Sequence, residues 1–110
     1  MTSEATGSIR IAPEVLATIV NLTAMSVPGI VAMAEVPRAR LLDRTQPDAT
    51  RGVHVTVRDN MVQADLYVVV AHGAHMVEVG NRVQHAVAQA IHEMLGMGVR
   101  TINVYIQGIE

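Results

Sequence analysis

The hydrophobic positions of this chain follow two different periods, and these periods predict its main elements. Residues 61–70 alternate between apolar and polar and then become continuously apolar, as a buried strand does. Residues 76–95 repeat apolar side chains at helical spacing, and residues 98–109 alternate again. A strand, a returning helix and a second strand joined by short turns are expected to place both strands in parallel in one sheet, with a right-handed crossover.

The first third of the chain predicts two short strands around a helix. Ile9 and Ile11 alternate with polar residues, which indicates a strand. Pro13 then suits the first turn of a helix, and the Val-Pro-Gly sequence at residues 27–29 is expected to end it. Residues 30–36 predict the second short strand.

A hairpin is the clearest local signal. Residues 53–57 alternate into Asp59-Asn60, two residue types that tolerate the left-handed conformation of tight hairpin turns. Together the elements predict an α/β (α+β) fold, a two-layer sandwich in which a mixed sheet of four to five strands carries two helices on one face. We expect a flexible N-terminus at residues 1–6 and a single domain at residues 7–110, with a loop insertion at residues 37–52.

Composition narrows the classes of function. The chain has 110 residues, a single-domain length, and its apolar residues are almost all aliphatic. It has no cysteine, which excludes disulfides and thiolate chemistry. The formal net charge of −2 argues against nucleic-acid binding. With no secretory signal pattern and no apolar run near the roughly 20 residues that span a bilayer, the chain is expected to be cytoplasmic and not inserted in a membrane.

Catalytic and metal-binding patterns do not emerge from the sequence. His72 and His75 could meet across a turn, and His85 and His92 lie two helical turns apart, but no recognised zinc spacing occurs. The alternative is that these are surface or turn histidines. No serine lies in a nucleophile-elbow pattern, and no glycine-rich segment opens a helix to hold phosphate. We therefore expect neither an enzyme nor a bound cofactor.

The sheet face opposite the two helices is the first candidate for function. Alternation places on it the side chains of His54, Thr56, Arg58, Asp65, Tyr67, Val69, Asn103, Tyr105 and Gln107. Tyrosine is enriched in protein interfaces, so Tyr67, Val69 and Tyr105 are the candidate interface residues. The alternative is an ordinary solvated sheet face.

The loop insertion is the second candidate. Arg38, Arg40, Arg44 and Arg51 hold half of the eight basic residues of the chain. We consider that this loop contacts an acidic partner or anionic lipid headgroups, the alternative being a solvated charged loop.

Several motifs, in this order, resemble the alkaline shock protein family of bacteria, also called the envelope stress response family. They are I-A-P-E-V from Ile11, V-P-G-I-V-A-M from Val27, D-L-Y-V-V-V from Asp65, and the closing V-Y-I-Q-G-I. The resemblance covers nearly the whole chain outside the first residues and the arginine-bearing loop. It implies a small cytoplasmic bacterial protein without known enzymatic activity.

The resemblance also leaves two functions open. Some family members associate with the inner face of the membrane through a small membrane-anchor protein, which implies a self-associating adaptor or scaffold. Others are linked to fatty-acid synthesis through acetyl-CoA carboxylase subunits, which implies a regulatory binding protein for a metabolic enzyme. Because the chain lacks a lysine-rich tail and its loop is short, functions that depend on such a tail or loop need not carry over.

Overall fold

The computed structural model describes residues 7–37 and 48–110. In chain order the elements are helix α1 (Pro13–Met25), strand β1 (Ile30–Met33), a 3-10 turn (Asp48–Thr50), strands β2 (Val53–Arg58) and β3 (Met61–Val70), helix α2 (Met76–Leu95) and strand β4 (Gly98–Ile109). The fold is α+β, with both helices on one face of a mixed four-stranded sheet. This confirms the predicted two-layer sandwich.

Strand β3 is the centre of the sheet. Strand β4 runs parallel to it along its whole length, as the strand-helix-strand pattern predicts. The other edge of β3 is shared by two antiparallel strands, with β2 along residues 61–66 and β1 along residues 68–70. The sheet therefore changes partners beside Tyr67, where β2 gives way to β1.

The core lies between the sheet and the two helices. Every second side chain of β3 is fully buried on this side, because the alternation of a strand sends them to one face: Val62, Ala64, Leu66, Val68 and Val70. Leu16 and Val20 of α1 pack against them together with the Val79, Val83, Val87 and Ile91 row of α2. That row repeats every fourth residue, so a single helical stripe meets the sheet.

Backbone geometry confirms the predicted turn and helix end. Asp59 and Asn60 have φ values of 52° and 62°, the left-handed conformations of a two-residue hairpin turn. Gly96 ends α2 at φ 67°, and its N–H donates to the His92 carbonyl at 3.0 Å. The next residue, Met97, is buried, a contact that commonly accompanies this kind of helix end.

Two predictions about the first third of the chain are corrected. Residues 7–12 form no strand, and Ile9 is 95% exposed. Ile11 instead precedes the N-cap residue Ala12 and is partly buried against the core, the position from which an apolar side chain packs on the first turn of a helix. Strand β1 ends at Met33 rather than at residue 36.

The apolar stripe of α2 is also shorter than its spacing predicts. Met76 and Met94 belong to the stripe by sequence, but they are 40% and 66% exposed. The two residues lie near the ends of the 20-residue helix. The side chains that bury the middle of the helix do not reach these ends. The fully packed part of the stripe is the four middle positions, and Ala86 and Leu95 pack against the core at its margin.

Candidate functional site

The sheet face away from the helices has an apolar half and a polar half. The strand registers place these side chains in rows across the sheet, since residues paired on neighbouring strands share a face. The apolar half holds Ala32, Tyr67, Val69, Tyr105 and Gly108. The polar half holds His54, Thr56, Arg58, Gln63, Asp65, Thr101 and Asn103, with Met61 beside Arg58 at its end. The three predicted interface residues therefore lie together.

Tyr67 and Tyr105 form a stacked pair at the centre of this face. They are register partners on β3 and β4, their ring centroids are 4.9 Å apart, and their planes differ by 16°. Tyr105 remains 42% exposed, while Tyr67 is half-buried. A stacked aromatic pair is worth about 0.5–1.5 kcal/mol beyond its buried area, so the two rings present one pre-ordered surface.

The backbone of Tyr67 is fixed at the point where β2 gives way to β1. Its N–H donates to the Gly52 carbonyl at 2.8 Å, and its carbonyl accepts from the Ala34 N–H at 2.8 Å. Gly52 is buried with φ 78°, and a Cβ there would lie 2.7 Å from the Ala34 oxygen and 2.8 Å from the Tyr67 oxygen. Only glycine fits at this point, where β2 gives way to β1, without displacing the backbone of Tyr67.

A bulge in β4 adds Gly108 to the residues of this face. The register shifts between Val68 and Val69, so that Gly108 rather than Gln107 lies opposite Val69. Gln107 is the extra residue of the bulge. A Cβ at Gly108 would lie 3.8 Å from both methyl groups of Val69, so the glycine leaves this end of the apolar half open. Sequence reasoning missed Gly108, although a glycine within a strand is a signal for a bulge.

The polar half is organised around Asp65. Asn103 Nδ2 donates to Asp65 Oδ1 at 2.9 Å, and His54 Nδ1 lies 3.9 Å from Asp65 Oδ2. The second contact is an ion pair only when the imidazole is protonated. These side chains lie on β2, β3 and β4, so the polar half spans three strands beside the tyrosine pair.

Comparison with known proteins assigns the chain to a family. A family model for alkaline shock protein 23, described as having a cell envelope-related function, matches residues 1–110. The chain belongs to the alkaline shock protein 23 family. This confirms the resemblance that the motifs indicated.

Family relatives from two bacteria match over most of their length. The uncharacterized protein YloU of Bacillus subtilis (strain 168) is 30% identical over 108 residues, covering 94% of this chain and 88% of the relative. The uncharacterized protein Spy1535 of Streptococcus pyogenes serotype M6 is 28% identical over 110 residues, covering 99% of this chain and 84% of the relative.

Solved structures with the same fold include forms of MamM CTD. The copper form of MamM CTD superposes with a TM-score of 0.62 at 16% sequence identity, covering 88% of this chain and 86% of that one. The form carrying H264E gives a TM-score of 0.55 at 15% identity, covering 88% of this chain and 95% of that one. At these identities the likeness concerns the fold alone.

Of the four candidate arginines of this family member, one lies in the described region. Arg51 Nε donates to the Met33 carbonyl at 3.1 Å, and the Arg51 carbonyl accepts from Asn21 Nδ2 at 2.8 Å. Arg51 thus ties the start of β2 to β1 and α1. Its side chain also lines a groove of about 260 Å³ with Met25 and Val31. Arg38, Arg40 and Arg44 lie outside the described residues.

The histidines do not form a metal-binding cluster in the described parts of the chain. His72, His75, His85 and His92 are all exposed. No group of three or more His, Cys, Asp or Glu side chains is close enough to hold a metal ion within residues 7–37 and 48–110. Over the same residues, neither helix is long and apolar enough to cross a membrane.

Proposed function

We propose that this member of the alkaline shock protein family is a non-enzymatic adaptor or scaffold of the envelope stress response type, acting through self-association and contacts with protein partners. The observation that carries the proposal is the apolar half of the open sheet face, formed around Tyr67, Val69 and Tyr105. The protein acts in the cytoplasm and reaches the inner face of the membrane through a small membrane-anchor protein. The family's cell envelope-related description supports this setting.

The geometry of the tyrosine pair favours binding. Two aromatic rings already stacked at 4.9 Å lose little side-chain freedom when a partner covers them. Covering the 42% of Tyr105 that is exposed removes on the order of 90 Å² from water. At about 25 cal/mol per Å², that burial stabilises a complex by about 2 kcal/mol. Tyr105 is therefore the expected binding hot spot.

The polar half of the face restricts how a bound partner is oriented. Asp65 is bonded to Asn103 and lies beside His54, so these polar groups are already ordered when a partner arrives. A partner that covers the tyrosines must either leave the polar half exposed to water or form hydrogen bonds with its side chains. The boundary between the two halves therefore restricts the orientation in which a partner can bind to the face.

Crosslinked co-purification from native cells tests the proposal, with the membrane fraction retained and the captured proteins identified by mass spectrometry. Tyr105→Glu places a charge on the apolar half, and Thr56→Glu is the matched control on the polar half. We expect wild type and Thr56→Glu to capture a small membrane protein and Tyr105→Glu to lose it. Capture that is equal in all three would refute the role of the face.

The same experiment separates the alternative function. Enrichment of acetyl-CoA carboxylase subunits from the soluble fraction, in place of a small membrane protein, would identify a regulatory binding protein for a metabolic enzyme. If Tyr105→Glu fails to capture those subunits, the open face is the surface that binds the metabolic enzyme.

The arginines of the loop insertion need a separate variant. Arg51 should be kept, because its side chain and carbonyl both take part in hydrogen bonds that fix the start of β2. Replacing Arg38, Arg40 and Arg44 with glutamine removes three charges from the proposed contact with an acidic partner or anionic headgroups. Unchanged capture and unchanged membrane association would refute that contact.

A further inference from the structure

Asp65 places a negative charge in the middle of the open sheet face. Its side chain is only 23% exposed. Asn103 Nδ2 donates to Asp65 Oδ1 at 2.9 Å, which fixes the plane of the carboxylate. The other oxygen, Oδ2, lies 3.9 Å from His54 Nδ1, which is too long for a hydrogen bond. This oxygen is therefore able to accept hydrogen bonds from a partner.

No arginine of the described chain pairs with this carboxylate. Within residues 7–37 and 48–110, the ion pair besides the histidine contact joins Glu78 to Arg82 on α2. Arg58 projects from the same face but lies at the far end of β2. Four strand residues separate it from His54, a distance of about 13 Å along the strand. Asp65 thus remains a negative charge at the border of the apolar half.

Asp65 also lies directly beside the tyrosine pair. It precedes Tyr67 by two residues on β3, so the two side chains project to the same face about 6.6 Å apart along the strand. Tyr105 lies diagonally across on β4, with its Cα about 8 Å from that of Asp65 by strand rise and strand spacing. Tyr105 is 42% exposed. A carboxylate and an accessible aromatic ring are therefore neighbours on this face.

The charge of Asp65 restricts which partner gains from covering the tyrosines. A partner that covers them also removes water from the carboxylate next to them. Burying a carboxylate costs free energy unless an opposite charge and hydrogen bonds replace the lost water. A wholly apolar partner incurs this cost, whereas a partner with a cation at this point avoids it. The face is therefore complementary to an apolar segment that carries a positive charge.

We propose that the open face binds its partner through an arginine, whose guanidinium stacks on the Tyr105 ring and donates to Asp65 Oδ2, while apolar residues beside that arginine cover Val69. A guanidinium is planar, so its face can lie against the ring while its N–H groups point at the carboxylate. A lysine ammonium has no planar group that stacks in this way. This inference rests on the proposed function, because it names the partner chemistry of the same face.

Nuclear magnetic resonance titration of the full chain with synthetic peptides tests the arginine contact. The probe is acetyl-Leu-Arg-Leu-amide, and its counterpart carries citrulline, a neutral side chain of nearly the same shape, in place of arginine. We expect the arginine peptide to have a dissociation constant about five- to tenfold lower. The side-chain amide signal of Asn103 should shift on binding, since that amide is bonded to Asp65. Equal dissociation constants, or shifts confined to residues outside the open face, would overturn the inference.

Two substitutions that each remove one negative charge assign the preference to its residue. Asp65→Asn keeps an oxygen that can accept from Asn103, so the arginine and citrulline peptides should bind this variant equally. Asp59→Asn makes the same change at the exposed hairpin turn and should leave the preference for arginine intact. A preference that persists in Asp65→Asn would contradict the proposed contact.

The peptide titration and the co-purification from cells fail independently of each other. The titration uses no cellular partner, so an arginine preference that depends on Asp65 supports the inference even where no small membrane protein is captured. Capture of a membrane protein that depends on Tyr105, together with equal binding of the two peptides, would support the proposed function and refute the arginine contact.

Discussion

Replacing Gly52 with alanine should damage the candidate site and the fold together. The residue has φ 78°, and an added Cβ would lie 2.7 Å from the Ala34 oxygen, 2.8 Å from the Tyr67 oxygen and 2.9 Å from Met33 Cβ. Two of these atoms belong to the backbone and cannot rotate away. The methyl group therefore forces apart the strands that hold Tyr67.

The magnitude follows from two contributions to the free energy of unfolding. A left-handed conformation costs a residue with a Cβ about 1–2 kcal/mol. Overpacking against fixed atoms costs typically about 1–3 kcal/mol. The sum of about 2–5 kcal/mol corresponds to a fall in Tm of at least about 10 °C for a domain of this size.

Gly73→Ala is the matched control for the packing contribution. Gly73 has φ 87°, but a Cβ there would meet no atom within 4 Å. Alanine at this position should therefore cost only the backbone contribution, about 1–2 kcal/mol. The difference between the two variants measures the clash at Gly52 alone.

Thermal unfolding followed by far-ultraviolet circular dichroism measures both variants. The near-ultraviolet spectrum adds a site-specific signal, because the chain has two tyrosines and neither Trp nor Phe. Gly52→Ala should lower Tm more than Gly73→Ala and weaken the tyrosine band, which the control should preserve. Equal losses of Tm with an unchanged tyrosine band would refute the reasoning.

Three further substitutions test other contacts. Asn21→Ala should lower the free energy of unfolding in urea by about 1–2 kcal/mol, since the Arg51 carbonyl loses its buried donor; an unchanged midpoint would contradict this. Gly80→Ala should raise the free energy of unfolding by up to about 1 kcal/mol, because the new methyl group enters open space in a helix. A loss of stability would show an unrecognised contact. Asn60→Val should lower Tm, because φ at this turn is 62°, whereas Asn60→Gly should not.

The regular elements were predictable because their signals are local. The hairpin needs two residues that tolerate positive φ, and Asp59-Asn60 supply them. The four buried valine and isoleucine positions of α2 follow from helical spacing alone. The prediction at Ile9 and Ile11 failed because two alternating residues also fit an extended segment before a helix. Only a neighbouring strand makes such a segment part of a sheet.

The candidate site was predictable in part. Alternation placed Tyr67, Val69 and Tyr105 on one face, since side chains of a strand point to opposite faces in turn. The stacking of the tyrosines depends on the register between β3 and β4, which no local pattern determines. The bulge that places Gly108 opposite Val69 depends on the same pairing.

The sequence by itself determined the two helices, the hairpin, the parallel return of β4 and which side chains of β3 face the core, because hydrophobic period and turn chemistry act over a few residues. Tertiary structure decided that β1 and β2 share one edge of β3 and that Gly52 lies where one replaces the other. These features arise from contacts between residues far apart in the chain, where the geometry of strand pairing, rather than local preference, determines which atoms meet.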